Sequence, residues 1–243
     1  MHALQGSVCL IYNLGMAQLS TASDARELTA AVQDYAKAIY TLESRDGGAS
    51  TTALATLLEV RPASVSGMLR KLSALGLVEH ERYRGVRLTA RGRRVALEVI
   101  RHHRLVELFL VESLGMTWDE VHAEAEVLEH ALSEELEELI AAKLGNPTVD
   151  PHGDPIPSRE LKLAEKTAPA LAELEPGEAA TFVRISDTDP EMLRFLGERG
   201  IVPGTKLEVV DRQPFDGPLF VRVGGKVHAL GGVLARAMRV EAA

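Results

Sequence analysis

The stretch that decides the fold is "VRPASVSGMLRKLSALGLVEHERYRGVRLTARG", residues 60–92. Pro62 fits a first helical turn, where its missing N–H costs nothing. Val65, Met68, Leu69 and Leu72 then fall on one helical face. Gly76 is placed to end the helix as a left-handed cap. Two β-prone pieces follow, Leu77–Glu81 and Val86–Leu88, flanking Arg82-Tyr83-Arg84-Gly85. That spacing predicts a hairpin with a basic tip. A helix, a hairpin and the turn before them suggest half of a winged helix-turn-helix.

The residues upstream supply the other half. Val32, Tyr35, Ile39, Tyr40 and Leu42 recur at helical spacing between Leu28 and Asp46, and Gly47-Gly48 ends that run. Ser50 or Thr51 can cap a short helix reaching Leu58. Helix, short helix, turn, helix and hairpin in this order make a winged helix-turn-helix. In such motifs the first turns of the second helix reach base edges in the major groove. Here those positions are Arg61, Ala63, Ser64, Ser66 and Gly67. Arg61 is the candidate for reading guanine. Arg70, Lys71, Arg82 and Arg84 are better placed for phosphates.

Downstream, Thr89 can cap a long helix to about Leu114. Thr117 with Glu120 forms a capping-box pattern for a helix from Trp118, which Ser133 interrupts or restarts. "GNPTVDPHGDPIPSRE", residues 145–160, is too rich in Pro, Gly and Asp for regular structure. Over residues 176–243 the pattern changes again: "TFVRI", "KLEVVDR", "LFVRVGG" and "KVHAL" read as short strands of a small SH3-like β-barrel. Pro190–Glu198 supplies a turn or two of helix. The fold class is therefore mainly α with a small β domain. The divisions fall at 28–92 (winged helix-turn-helix), 93–165 (helical segment) and 176–243 (barrel).

Composition bounds the function. Apolar residues make up 46% of the chain, enough for a core, yet no apolar run is long enough to span a bilayer. The single cysteine, Cys9, excludes an internal disulfide framework and fits a reducing cytoplasm. Residues 1–27 lack the basic start of a signal peptide and read as a disordered extension, with Met16 as the initiator. The net charge of −8 argues against nucleic acid, but its distribution reverses that impression. Arg61 to Arg104 holds 11 Arg/Lys and 3 Glu; Leu105 to Gly145 holds 11 Asp/Glu and 1 Lys. Adjacent basic and acidic blocks suggest two surfaces with different partners.

The acidic block carries a pattern. His122, Glu126, Glu129 and His130 sit at i, i+4, i+7 and i+8, which share a helical face. The preceding helix offers His103 and Glu107, again at i, i+4. Two antiparallel helices could turn these six side chains toward one another. Imidazole and carboxylate without thiolate suit Mn²⁺ or Fe²⁺ better than a tetrahedral zinc site. Glu124, Glu134, Glu135, Glu137 and Glu138 read as a solvated face, and His80, His102 and His152 as exposed or structurally bonded histidines. Val127, Leu128, Ala131, Leu132, Leu136 and Leu139 could form a dimer face or an internal core.

"HHRLVELFL", "VHAEAEVLEH" and "GNPTVDPHGDPIP" resemble the diphtheria-toxin-repressor and manganese-transport-regulator family of metal-dependent transcription factors. The resemblance runs from about Leu28 to Val240, the barrel being similar to the iron-transport-accessory (FeoA-type) domain of the longer members. It implies a primary site of Asp34, Glu126, Glu129 and His130, and an ancillary site of His103, Glu107 and His122 completed from the barrel. Asp187 and Asp189 are the candidates there. Iron-type members carry a soft sulfur ligand where this chain has Asp34 and Glu126, so the resemblance favours Mn²⁺ over Fe²⁺. Lys37 stands where close-paired manganese members carry another acid, which implies two separate sites. The resemblance further implies a cytoplasmic, metal-activated homodimer that represses metal-uptake genes by binding double-stranded operator DNA. Three rivals stay open: a winged-helix regulator sensing a small organic effector, a di-metal carboxylate enzyme, and an adaptor whose barrel binds a proline-rich segment. The enzyme is disfavoured because its usual repeated Glu-x-x-His is missing from the stripe.

Overall fold

The structure, a computed structural model, describes residues 28–81, 85–164, 167–186, 189–215 and 217–242. The extension at 1–27, the hairpin tip with Arg82 and Arg84, and Asp187 lie outside the described residues. The chain divides into two compact units, one ending at Ile100 and one beginning at Arg101.

In the first unit, α1 (Ala30–Asp46), α2 (Thr51–Leu57) and α3 (Pro62–Ala74) precede the hairpin β1 (Val78–Glu81) and β2 (Gly85–Leu88). Each boundary has a local cause. Gly47 closes α1 in the left-handed region, its N–H donating to the Glu43 carbonyl. The Ser50 hydroxyl accepts from the Ala53 N–H and starts α2. Pro62 occupies the first turn of α3, and Gly76 turns left-handed just beyond it. The hairpin is antiparallel, with Val78 opposite Leu88 and Glu81 opposite Gly85. A Cβ at Gly85 would lie 2.2 Å from the Ala49 carbonyl oxygen, so only glycine lets the wing close on the α1–α2 turn. Val32, Ile39, Leu42, Leu54, Val65, Leu72 and Leu77 form the core of this unit.

The long helix α4 (Ala90–Leu114) begins where the sequence predicts. The Thr89 hydroxyl accepts from the Gly92 N–H at 3.1 Å and donates to the Gly76 carbonyl at 2.7 Å, so one side chain fixes the helix start against the end of α3. α5 (Val121–Leu128) and α6 (Glu134–Lys143) follow. Here the sequence reading needs correction. α5 starts at Val121, not Trp118: the Thr117 hydroxyl bonds the Glu120 carboxylate rather than a backbone N–H, and 118–120 form a turn. α5 also stops at Leu128, so Glu129 caps its end and the stripe leaves the helix before His130. Ser133 restarts the chain as α6 by accepting from the Leu136 N–H.

The basic block also divides. Arg101 and Arg104 are half-buried and donate to the carbonyls of Pro157 at 2.6 Å and Pro155 at 2.5 Å. They clamp the proline-rich segment to α4 and are not part of a nucleic-acid surface.

The C-terminal part is a five-stranded antiparallel sheet in the order β6-β5-β4-β3-β7. Its strands are β3 (Ala179–Arg184), β4 (Lys206–Arg212), β5 (Leu219–Val223), β6 (Lys226–Leu230) and β7 (Arg239–Ala242). α7 (Pro190–Gly197) and α8 (Gly232–Ala237) pack on it around a core of Phe182, Leu193, Leu196, Val209 and Val221. The β3–β7 and β4–β5 ladders shift register at Phe182/Arg184 and Val209/Asp211, bulges of the kind that curve a small SH3-like sheet. No helix among the described residues is long and apolar enough to cross a membrane.

Candidate metal centre

His103 and Glu107 lie one turn apart on α4, which carries both side chains inward. Leu105, Val106 and Leu110 of the same helix pack against Val121 and Ala125 of α5. That apolar contact brings the titratable faces of the two helices together. His103 Nε2 is 2.9 Å from Glu107 Oε1 and 3.1 Å from His122 Nδ1, and His122 Nδ1 is 3.3 Å from the same Glu107 oxygen. On its other side, His103 Nδ1 is 2.5 Å from Glu129 Oε2.

These distances anchor one ring nitrogen. An ionised carboxylate only accepts, so His103 Nδ1 carries a proton and donates to Glu129. Nε2 faces the Glu107 carboxylate oxygen and a second imidazole nitrogen, so it offers a proton to Glu107 or, once that proton leaves, a lone pair to an ion. With a cation this is the arrangement in which a ligating histidine donates its other N–H to a carboxylate. Two ligands each about 2.1 Å from an ion at right angles stand roughly 3 Å apart, which the 2.9–3.3 Å separations match. The donors are nitrogen and oxygen, so the set fits a hard or borderline divalent ion.

The electrostatics agree. Glu107 is fully buried. Burial alone would raise its pKa, but His103, His122 and His152 more than offset this and hold the carboxyl well below the usual range. It is an anion kept ionised by imidazoles.

Of the primary set implied by the resemblance, Glu129 is buried while Glu126 and His130 are half-buried. Glu126 Oε1 lies 3.7 Å from His103 Nδ1 and 3.8 Å from His122 Nε2; His130 Nε2 lies 3.5 Å from Glu129 Oε1. The helix ends at Leu128, so Glu129 caps it and His130 lies beyond it. Asp34 sits on α1 of the first unit, half-buried. Asp189 has another occupation: its carboxylate caps α7, accepting from the N–H groups of Glu191 and Met192. None of the possible ligand groups among the described residues includes it.

His152 is the residue sequence reasoning missed. Read as exposed or structurally bonded, it is fully buried beside Glu107 and Asp150, with Nε2 2.7 Å from the Trp118 carbonyl oxygen. The signal was present in "DPHGD", a histidine between two aspartates in an otherwise irregular segment. His102 is a structural histidine, bonded to the Glu129 carbonyl and the Glu137 carboxylate. Its partner Glu137 is buried, unlike the solvated face expected.

In the first unit, Arg61, Ala63, Ser64, Ser66, Arg70 and Lys71 are exposed on α3 and Gly67 is half-buried, while Val65, Leu69 and Leu72 face the core. Ser66 Oγ donates back to the Pro62 carbonyl at 3.1 Å.

Three family models match consecutive parts of the chain. Residues 27–86 match the iron dependent repressor N-terminal DNA binding domain. Residues 89–158 match the iron dependent repressor metal binding and dimerisation domain, and residues 170–242 the FeoA domain. The iron-dependent repressor IdeR of Mycobacterium tuberculosis (strain ATCC 25618 / H37Rv) is 32% identical over 88% of this chain and 98% of its own length. The diphtheria toxin repressor of Corynebacterium diphtheriae is 28% identical over 89% of this chain and 99% of its own. Among solved structures, a manganese-dependent transcriptional repressor in complex with manganese is 44% identical, covers 87% of this chain and 100% of its own, and superposes with a TM-score of 0.79. The manganese regulator SloR is 31% identical, covers 87% of this chain and 98% of its own, and gives 0.71.

Proposed function

This chain belongs to the iron-dependent repressor family of metal-dependent DNA-binding transcriptional regulators, and on that premise we propose that Mn²⁺, with Fe²⁺ as the alternative, activates it as a dimeric cytoplasmic repressor of metal-uptake genes. Family membership removes the di-metal enzyme reading. The observation that carries the metal reading is the convergence of His103, Glu107 and His122, whose ligand atoms stand 2.9–3.3 Å apart while Glu129 anchors the other ring nitrogen of His103. An organic effector would need no such convergence.

We assign residues 28–92 to reading DNA, 93–165 to metal binding and dimerisation, and 176–243 to the FeoA-type domain. The primary ion takes Asp34, Glu126, Glu129 and His130; the ancillary ion takes His103, Glu107 and His122. When bound, the ion supplies positive charge among carboxylates that otherwise repel one another. Asp34 comes from α1, which packs with the recognition helix α3, so ligation steadies the reading head. A dimer needs its two α3 helices at a fixed separation to enter successive major grooves. On α3, Arg61 reads base edges with the small residues Ala63, Ser64, Ser66 and Gly67, and Arg70 and Lys71 hold phosphates, as do Arg82 and Arg84 of the wing.

The test is binding of the full chain to promoter DNA from metal-uptake genes of its own genome, with Mn²⁺ or with chelator, in wild type and Glu126→Ala. Mn²⁺ should tighten wild-type binding at least tenfold and leave the variant unmoved. Equal affinity in all four cases would refute the proposal.

A further inference from the structure

Consecutive residues of α4 take hold of Glu129 from two directions. His102 Nδ1 lies 3.1 Å from the Glu129 backbone carbonyl oxygen, and His103 Nδ1 lies 2.5 Å from the carboxylate oxygen Oε2 of the same residue. Neighbours on a helix point about 100° apart, so a residue wedged against α4 can be gripped by both. Glu129 is that residue: it caps the end of α5 and is buried. His102 is buried as well, and its Nε2 lies 2.9 Å from Glu137 Oε2 in the first turn of α6.

We propose that His102 is a positioning residue for metal binding: by donating to the Glu129 carbonyl it fixes where α5 ends, and so aims the Glu129 carboxylate at the ion. The inference deepens the proposed function and rests on it, because it takes Glu129 as a ligand. A carbonyl only accepts, so Nδ1 is the donor. The last carbonyls of a helix have no partner within it, and a histidine close to them can supply one. This accounts for the stop after Leu128, where the sequence carries neither glycine nor proline. The carboxylate is aimed from the same point. With the main chain held, Oε2 stays on His103 and Oε1 stays 3.5 Å from His130 Nε2. Glu129 is thus the residue at which the primary ligands meet His103 of the ancillary set.

His102 is itself held. Glu137 Oε1 accepts from Arg101 Nε at 2.5 Å, and Arg101 Nη1 donates to the Pro157 carbonyl at 2.6 Å. Ser133 sets the turn that carries Glu137: its hydroxyl accepts from the Leu136 N–H and its carbonyl from the Glu137 N–H. The His102 ring therefore spans α4, the end of α5 and the start of α6. A chain of bonds runs from the proline-rich segment through Arg101, Glu137 and His102 and ends on a ligand. His102 touches no ion; it acts through Glu129. Losing an outer partner of this kind weakens metal binding about ten- to a hundredfold.

Two substitutions separate the two ring nitrogens. The amide nitrogen of Asn can stand where Nδ1 stands, and that of the longer Gln where Nε2 stands. His102→Asn keeps a donor for Glu129 and gives up Glu137; His102→Gln keeps Glu137 and gives up Glu129. The Mn²⁺ affinity of the full chain, measured by isothermal titration calorimetry, should stay near wild type in His102→Asn and weaken about ten- to a hundredfold in His102→Gln. Urea midpoints measured in chelator should run the other way, His102→Asn being the less stable because Glu137 loses a partner. A merely structural histidine would give affinities that follow those midpoints. Equal affinities in the two variants, tighter binding by His102→Gln, or affinities in the order of the midpoints would overturn the proposal and leave the proposed function intact. A wild type that binds no Mn²⁺ would overturn both.

Discussion

Glu137 shows how one buried carboxylate sets the acid limit of the helical segment. It contacts Arg101 Nε at 2.5 Å and His102 Nε2 at 2.9 Å, all three being largely shielded from water. Burial alone would raise its pKa, but His102 and Arg101 more than offset this and hold it below the usual range. A carboxylate with a depressed folded pKa stabilises the protein above its unfolded value of about 4.3, and that contribution is lost as pH falls through the folded value. The urea midpoint of the wild type should therefore drop steeply below about pH 4.3. Glu137→Gln should cost about 3 kcal/mol at pH 7 by stranding Arg101, and its acid-side slope should be shallower. A variant as acid-sensitive as wild type would contradict this. The sequence pairs His103 with Glu107 and His122 with Glu126 by helical spacing, and the structure holds these pairs at 2.9 and 3.8 Å. The sequence did not show Glu137 or His152, since what distinguishes them is burial, and burial arises from partners 35 and 45 positions away.

At the scale of the element, boundaries were legible wherever a side chain or a glycine caps locally. Ser50, Gly47, Gly76, Thr89 and Ser133 all do what their chemistry suggests. The failures lie at α5, where Thr117 found a side-chain partner instead of the backbone, and at its far end, where no breaker announces the stop after Leu128. Thr89 gives the sharpest element-level prediction. Thr89→Ala removes a cap and a bond to Gly76 together, and should cost about 1–2 kcal/mol in chemical denaturation. Thr89→Ser should restore most of it. The β domain was legible as strands with turns between them, but not the order in which they pair, which depends on contacts across the whole sheet.

For the whole molecule, the six apolar positions left undecided by the sequence differ in burial. Val127 is 71% exposed, Leu139 62% and Leu136 47%; of the six only Leu132 joins the core. Apolar side chains this exposed, in a segment that matches a metal binding and dimerisation domain, are the candidates we propose for a subunit interface. Leu139→Glu should shift the chain toward monomer in sedimentation and weaken operator binding, with little loss of fold. A variant that stays fully dimeric would place the interface elsewhere. The central claim is that metal and DNA favour the same state, and such coupling is reciprocal: whatever factor Mn²⁺ gives to DNA affinity, DNA returns to Mn²⁺ affinity. The most direct measurement is the Mn²⁺ affinity of the full chain with and without saturating operator duplex. The account predicts tightening by the same factor that Mn²⁺ confers on operator binding, in the range of roughly 5–150-fold. An Mn²⁺ affinity that does not change when DNA is added would contradict it.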